Sequence, residues 1–247
     1  MNAYVTFFVE NFPRLEEILF WGPLCLLWAY GCLLLSGYLK QYRGLKTGYT
    51  RKIFHFLIFT SATVIHATWG IRMVCLFGAA TSLVIFYAVF RGDGHLLYEA
   101  MARERDAPHR TYYILAPYCA TFVGGVTSNV FFGEAALVGY LVAGLGDAIG
   151  EPVGTRFGKH TYRVPSFKGV PSIRSYEGSS AVFLMSMCAI VVAFSLSPHL
   201  HYEGNALLLI PALALFSTVL EAISPHGWDN AVMQIVPSCC VAWCICT

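Results

Sequence analysis

Asp147 and Glu151 stand four residues apart at the end of a long apolar run, in the stretch GLGDAIGEPVGTRFGKH (Gly144 to His160), which then turns basic at Arg156 and Lys159. In a helix that spacing puts both carboxylates on one face, a turn apart. Ionised acids within an apolar run are costly and normally face a polar cavity, a cation or a partner. The alternative is an ion pair with Arg156 or a reach into the headgroups. Beside the acids, Gly146, Gly150, Gly154 and Gly158 recur at every fourth residue. Such a stripe of small residues lets a second helix approach closely, and it also leaves room for a ligand next to Asp147.

Other polar groups interrupt the apolar sequence at a few places: Arg51, Lys52 and His55; Glu177 with Gly178 and Ser179; and Glu221 followed by SPHGWDN. Between the acids and Glu177 lie Arg156, Lys159, Arg163, Lys168 and Arg174. Singly these have ordinary readings, His55 as an interfacial histidine and Arg51 and Lys52 as snorkelling anchors. Together they have the balance that a metal-bound polyphosphate requires. Carboxylates hold Mg²⁺, cations meet the phosphate oxygens, and the start of a helix adds backbone donors. The pair Gly158 and Lys159 is no P-loop, because His160 follows where a Ser or Thr would hold the metal, and no strand is expected before it.

The elements that must position these residues are membrane helices. Of 247 residues, 57% are hydrophobic and only 12% charged, against about a quarter charged in soluble domains. Runs long enough for about 30 Å of hydrocarbon, at about 20 residues each, lie near 18–39, 52–70, 71–90, 112–132, 134–157, 178–198, 205–223 and 229–246. The chain is therefore expected to be all-α, a single integral-membrane domain over 1–247 with about eight transmembrane helices. The second and third runs are separated only by Thr68 to Arg72, which demands a tight turn.

Basic residues set the orientation, since they collect on the cytoplasmic side. The connections that hold Lys40 to Lys52, Arg91 to Arg110 and Arg156 to Arg174 contain fourteen of the sixteen Lys and Arg, leaving only Arg14 and Arg72 for the other face. Alternation then places both termini on the non-cytoplasmic side. Every polar group named above falls at the cytoplasmic surface, within 51–55, 144–181 and 221–230. The N-terminal run has no basic leader and is expected to be a retained span rather than a removable signal. The connection Gly158 to Tyr176, with Pro165, Gly169 and Pro171, is expected to be long and irregular, a kind of segment that is often functional. The nine cysteines have no CxxC pair and read as apolar packing, including the group Cys239, Cys240, Cys244 and Cys246. A net charge of +2 argues against nucleic acid.

Four pieces of the sequence, RKIFH (Arg51 to His55), GDAIGEPVGTRFGKH (Gly146 to His160), RSYEGSSA (Arg174 to Ala181) and EAISPHGWDN (Glu221 to Asn230), resemble the CTP-dependent lipid-alcohol kinases. That family includes dolichol, phytol and farnesol kinases and yeast-type diacylglycerol kinase, and it is related to phosphatidate cytidylyltransferases. The resemblance implies transfer of the γ-phosphoryl group of CTP to the hydroxyl of a membrane lipid alcohol, with Mg²⁺. It implies an active site on the cytoplasmic face of a multi-pass protein in the cell inner membrane or the endoplasmic reticulum membrane. By the same resemblance Asp147, Glu151 and Asp229 would hold the metal, with Asp147, Asp229 or His55 as a general base. Lys159, Lys168 and Arg174 would neutralise the transferring group, and Ser175, Glu177, Gly178 and Ser179 would hold phosphates at a helix start. Arg51, Lys52, Gly146, Gly150, Arg156 and Asn230 would complete the nucleotide site. This chain differs from many relatives in having Ala148 after the acid and Arg174-Ser175 in place of Lys-Ser. Arginine keeps a phosphate contact and can make it bidentate.

Two other readings use the same residues. A cytidylyltransferase would let a lipid phosphate attack the α-phosphate of CTP and release pyrophosphate. A small transporter would use Asp147, Glu151 and Glu221 as proton or cation carriers near a glycine-lined path, although transport acids are expected near the midplane at repeat interfaces, and no repeat is visible in the sequence.

Overall fold

In the computed structural model, residues 2–166, 170, 172–197, 200 and 206–246 are described. They are helical apart from one two-stranded ribbon, and the contacts divide the chain into two compact units, Met1–Thr111 and Tyr112–Thr247. All eight apolar runs are helical. Among the described residues four helical stretches are long and apolar enough to cross a membrane: Leu15–Arg43, Ile71–Arg91, Tyr112–Phe157 and Tyr176–Leu196. Large apolar side chains stand outward along several helices, including Leu27 at 68%, Phe90 at 86% and Leu184 at 62% exposure. An apolar surface on that scale is what a lipid contact provides for.

The first unit contains α1 (Ala3–Glu10), α2 (Leu15–Arg43), α3 (Thr47–Trp69), α4 (Ile71–Arg91) and the single turn α5 (Leu96–Glu99). Gly44, at φ 65°, closes α2 with the left-handed residue that favours glycine at a helix end. The turn expected at Thr68 to Arg72 is tighter than five residues. α3 runs to Trp69, α4 starts at Ile71, and Gly70 alone reverses the chain at φ 77°. A side chain at that φ would be strained, so glycine makes a one-residue connection possible.

α2, α3 and α4 pack on one another, and α5 packs on α2 where a Cβ on Gly37 would come within 2.7 Å of Leu96. Polar contacts tie the connection after α4 to this core. Lys40 on α2 meets Glu99 at 3.1 Å and Glu104 at 2.7 Å, and Arg110 donates to Glu99 at 2.7 Å. On α3, Thr50 donates to the Ala100 carbonyl at 2.9 Å.

The second unit contains α6 (Tyr112–Phe132), α7 (Ala136–Leu141), a π-helical segment (Val142–Asp147), α8 (Ala148–Phe157), β1 (Thr161–Val164), β2 (Ser172–Ser175), α9 (Tyr176–Leu196), α10 (Ala206–Ile223) and α11 (Asp229–Cys246). Every residue of α7 is buried, so this helix forms the centre of the unit, with α9 and α11 against it. α8 packs on α9, α11 on α6, and α10 on both α9 and α11.

The described residues of the connection expected to be irregular include a short ribbon. β1 and β2 pair antiparallel, with Thr161 opposite Ser175 and Val164 opposite Ser172. The strands are four residues each, and only Val164 and Ser175 of the ribbon are buried. The sequence there lacks the clean apolar alternation by which a half-buried strand is read.

Candidate metal centre

Asp147 closes the π-helical segment, and α8 begins at the next residue. Small residues, Gly144 and Gly146, make up part of the widened turn, and Pro152 has no N–H to return to Ala148. Such interruptions of the regular ladder are frequent at functional sites. Here one sets the register at which Asp147 leaves the helix, and the side chain is only 4% exposed.

Two further acids reach the same place from the junction between α10 and α11. Glu221 lies in the last turn of α10 and is 6% exposed, and Asp229 is the first residue of α11. The chain between them is short. It reverses through Gly227 at φ 90°, and the His226 N–H is tied to the Pro165 carbonyl at 2.9 Å. The His226 ring stacks near Tyr113, with centroids 5.0 Å apart. One carboxylate oxygen from each of Asp147, Glu221 and Asp229 lies within 4.8 Å of the others.

Arg174 on β2 is placed against this trio. Its Nη1 meets Glu221 Oε1 at 3.0 Å and its Nη2 meets Asp229 Oδ2 at 2.8 Å. Burial acts to lower the guanidinium's pKa, but Glu221, Asp229 and Asp147 together raise it, so Arg174 stays charged. Arg174 sets one positive charge against three carboxyl groups. The donor set is all carboxylate oxygen, the hard ligand type that Mg²⁺ takes, and opposite ligands of such an ion are about 4.2 Å apart. The residues therefore fit a divalent cation held by Asp147, Glu221 and Asp229.

The other expected site residues are spread over several elements. Glu151 is on α8 one turn beyond Asp147, half-buried, and is not one of the three acids grouped here. The glycine stripe is a packing seam against α9. A Cβ on Gly146 would stand 2.5 Å from Ser186 Oγ, on Gly150 2.7 Å from Val182 Cγ2, and on Gly154 2.9 Å from Ser175 Oγ. From the other side, a Cβ on Gly178 would stand 2.8 Å from the Gly150 carbonyl oxygen.

Around the start of α9 the polar groups serve one another. Ser175 caps the helix by accepting from the Gly178 N–H at 3.1 Å, Glu177 meets the His160 ring at 2.8 Å, and Ser179 meets the Tyr162 hydroxyl at 2.6 Å. Tyr162 is the cross-strand neighbour of Arg174, and burial pushes its phenol upward in pKa. Arg156 and Lys159 are exposed at the end of α8, and Lys168 lies outside the described residues.

Asn230 is 5% exposed and faces α6, donating to Thr121 Oγ1 at 2.8 Å. Arg51, Lys52 and His55 are in the first unit, on α3. Lys52 is buried there, and the His55 ring lies 4.4 Å from that of Phe59.

Glu221 is the acid that sequence reasoning did not carry into the metal set. Its signal was present: a lone acid closing an apolar run, eight residues before Asp229.

Phytol kinase from Synechocystis sp. is 32% identical to this chain over 108 residues, which cover 44% of the chain and 43% of that protein. The matched stretch is thus less than half of either protein. No family model matches the chain, and no solved structure matches it. The phytol kinase match supports the resemblance to lipid-alcohol kinases.

Proposed function

We propose that the protein is a membrane kinase that transfers the γ-phosphoryl group of CTP to the hydroxyl of a lipid alcohol. The acceptor class is a polyprenol, phytol or similar isoprenoid alcohol, or diacylglycerol. The observation that carries this reading is the trio of buried Asp147, buried Glu221 and half-buried Asp229 with Arg174 against it. The partial likeness to phytol kinase supports the same reaction class.

Phosphoryl transfer depends mainly on positioning and on electrostatic stabilisation. The three carboxylates would hold Mg²⁺, which supplies charge neutralisation at the phosphate oxygens. Arg174, already charged and beside the trio, offers a planar fork of donors to a phosphate oxygen once a nucleotide enters. The lipid hydroxyl oxygen bonds to the γ-phosphorus as the bond to the bridging oxygen breaks. CDP leaves, and the hydroxyl proton passes to a carboxylate of the site and on to solvent. In this reading the eight helices all span the membrane, both termini are outside, and the site opens to the cytoplasm.

The test is a panel of phytol, farnesol, dolichol and diacylglycerol, offered to the purified protein with Mg²⁺ and with CTP or ATP labelled at either the α or the γ position. Label from the γ position in a lipid monophosphate, with CTP preferred, is the expected result. Label from the α position with pyrophosphate released would select the cytidylyltransferase instead. No transfer to any lipid would remove the kinase reading.

A further inference from the structure

We infer that Thr121 on α6 is a positioning residue for the metal centre, holding the first turn of α11, and with it Asp229, through Asn230. The inference rests on the reading of Asp147, Glu221 and Asp229 as metal ligands.

Asn230 follows Asp229 directly, so whatever fixes Asn230 fixes the ligand beside it. The Asn230 amide donates to Thr121 Oγ1 at 2.8 Å and, at 3.4 Å, to the Pro117 carbonyl. Its backbone N–H donates to Asp229 Oδ1 at 3.0 Å, while Arg174 holds Asp229 Oδ2 at 2.8 Å. The carboxylate is thus oriented from both sides, by Arg174 and by the turn that Thr121 anchors.

One turn further along α11, Gln234 reaches the same α6 residue. Its Nε2 donates to the Thr121 carbonyl at 3.2 Å and to the Asn230 carbonyl at 2.9 Å. Thr121 therefore offers both its hydroxyl and its carbonyl to α11. Close approach of the two helices makes this possible. A Cβ on Gly124 would stand 2.9 Å from the Ala231 Cα, and one on Gly227 3.4 Å from the Pro117 ring. Asn230 and Gln234 are 5% and 1% exposed, so bonds lost here are not replaced by water.

A metal site tolerates ligand displacements of only about 0.2 Å. A helix that slides or rotates slightly on α6 carries Asp229 with it, whereas apolar packing alone would allow such movement at little cost. Partners that orient ligands in this way typically contribute about 10- to 100-fold to metal affinity.

The experiment uses Mn²⁺ as the probe, followed by electron paramagnetic resonance on the full-length protein in detergent. Binding is measured for the wild type, Asp229→Asn, Thr121→Val and Thr121→Ser, together with each thermal midpoint. Thr121→Val keeps the shape and removes the hydroxyl. It should bind Mn²⁺ about tenfold more weakly with the fold kept and the midpoint lowered by a few degrees at most, and Thr121→Ser should restore both. In turnover the concentration of metal at half-maximal rate should rise by the same factor, with the rate at saturating metal nearly kept. If the valine variant does not fold, Thr121→Ala leaves the same amide without its acceptor and carries the same expectation.

Wild-type affinity in the valine or alanine variant, or failure of serine to restore it, overturns the inference while the metal centre stands. A wild type that binds no Mn²⁺, or binding indifferent to Asp229→Asn, removes the metal centre and this inference with it.

Discussion

Single residues in this protein are given their chemistry by what stands opposite them in space. Asp147 and Glu151 look equivalent by spacing, yet Asp147 is grouped with Glu221 and Asp229 while Glu151 is outside that group. The trio therefore makes a sharp distinction between two acids four residues apart. On the proposed reading Asp147→Asn and Glu221→Gln each remove a carboxylate that would hold the metal, and each should lower turnover by roughly 10²- to 10³-fold at saturating Mg²⁺. Glu151→Gln should cost roughly tenfold or less, a smaller loss because its carboxylate is not one of the three. Metal-dependent turnover of the three variants decides this. A Glu151→Gln variant more damaged than Glu221→Gln would return the metal set to the one suggested by sequence spacing. Arg174 belongs to the same argument, since its two donors already meet two of the acids, and lysine would offer no such fork.

At the scale of elements, the centre depends on how closely α8 approaches α9, and that approach is set by glycine. Val182 is β-branched and stiff, so it cannot readily turn away from a new methyl group 2.7 Å from its Cγ2. Gly150→Ala should then destabilise the protein by about 1–3 kcal/mol, the usual cost of overpacking, despite alanine's better helix propensity. Val182→Ala in the same chain should recover part of that loss. Gly31 on α2 is the comparison, because nothing stands within 4 Å of a Cβ added there. Gly31→Ala should be neutral or stabilise by up to about 1 kcal/mol. Thermal unfolding in detergent measures all three. Equal effects at Gly31 and Gly150 would mean that the stripe is not a tight seam.

Over the whole molecule, what could be read in the sequence was whatever depends on length and local pattern. Among the described residues the eight apolar runs are helical, because a run of that size can satisfy its backbone in an apolar setting only within itself. The acid at 147 was legible for the same reason, as a charge where none is expected. The tight turn between the second and third runs was legible, and only its reduction to Gly70 alone was not. The π-helical segment before Asp147 and the ribbon between α8 and α9 were not legible, since they rest on local backbone geometry or on strands of four residues. Nor was the pairing of Asp147 with Glu221, which joins residues 74 positions apart.

The first unit offers a comparable long-range cluster, from which acid sensitivity follows. Glu99 is contacted by Lys40 from α2, by the Gly94 N–H at 3.1 Å and by Arg110. Burial acts to raise its pKa, but these donors outweigh burial and bring it from the ordinary 4.5 to about 2. Glu104, also on Lys40, is lowered as well. A folded-state pKa below the unfolded value gives stability that is present above the unfolded pKa and lost as protons are taken up on the way down. The first unit should therefore lose stability as pH falls from about 4.5 towards 2. Glu99→Gln should lower stability at pH 7 by on the order of 1–2 kcal/mol after solvent screening, and it should flatten the profile across that window. Glu104, lowered by the same Lys40, would keep a residual slope. Unfolding midpoints measured from pH 7 to 2 check this, and parallel profiles for the variant and the wild type would show that Glu99 does not carry the acid dependence.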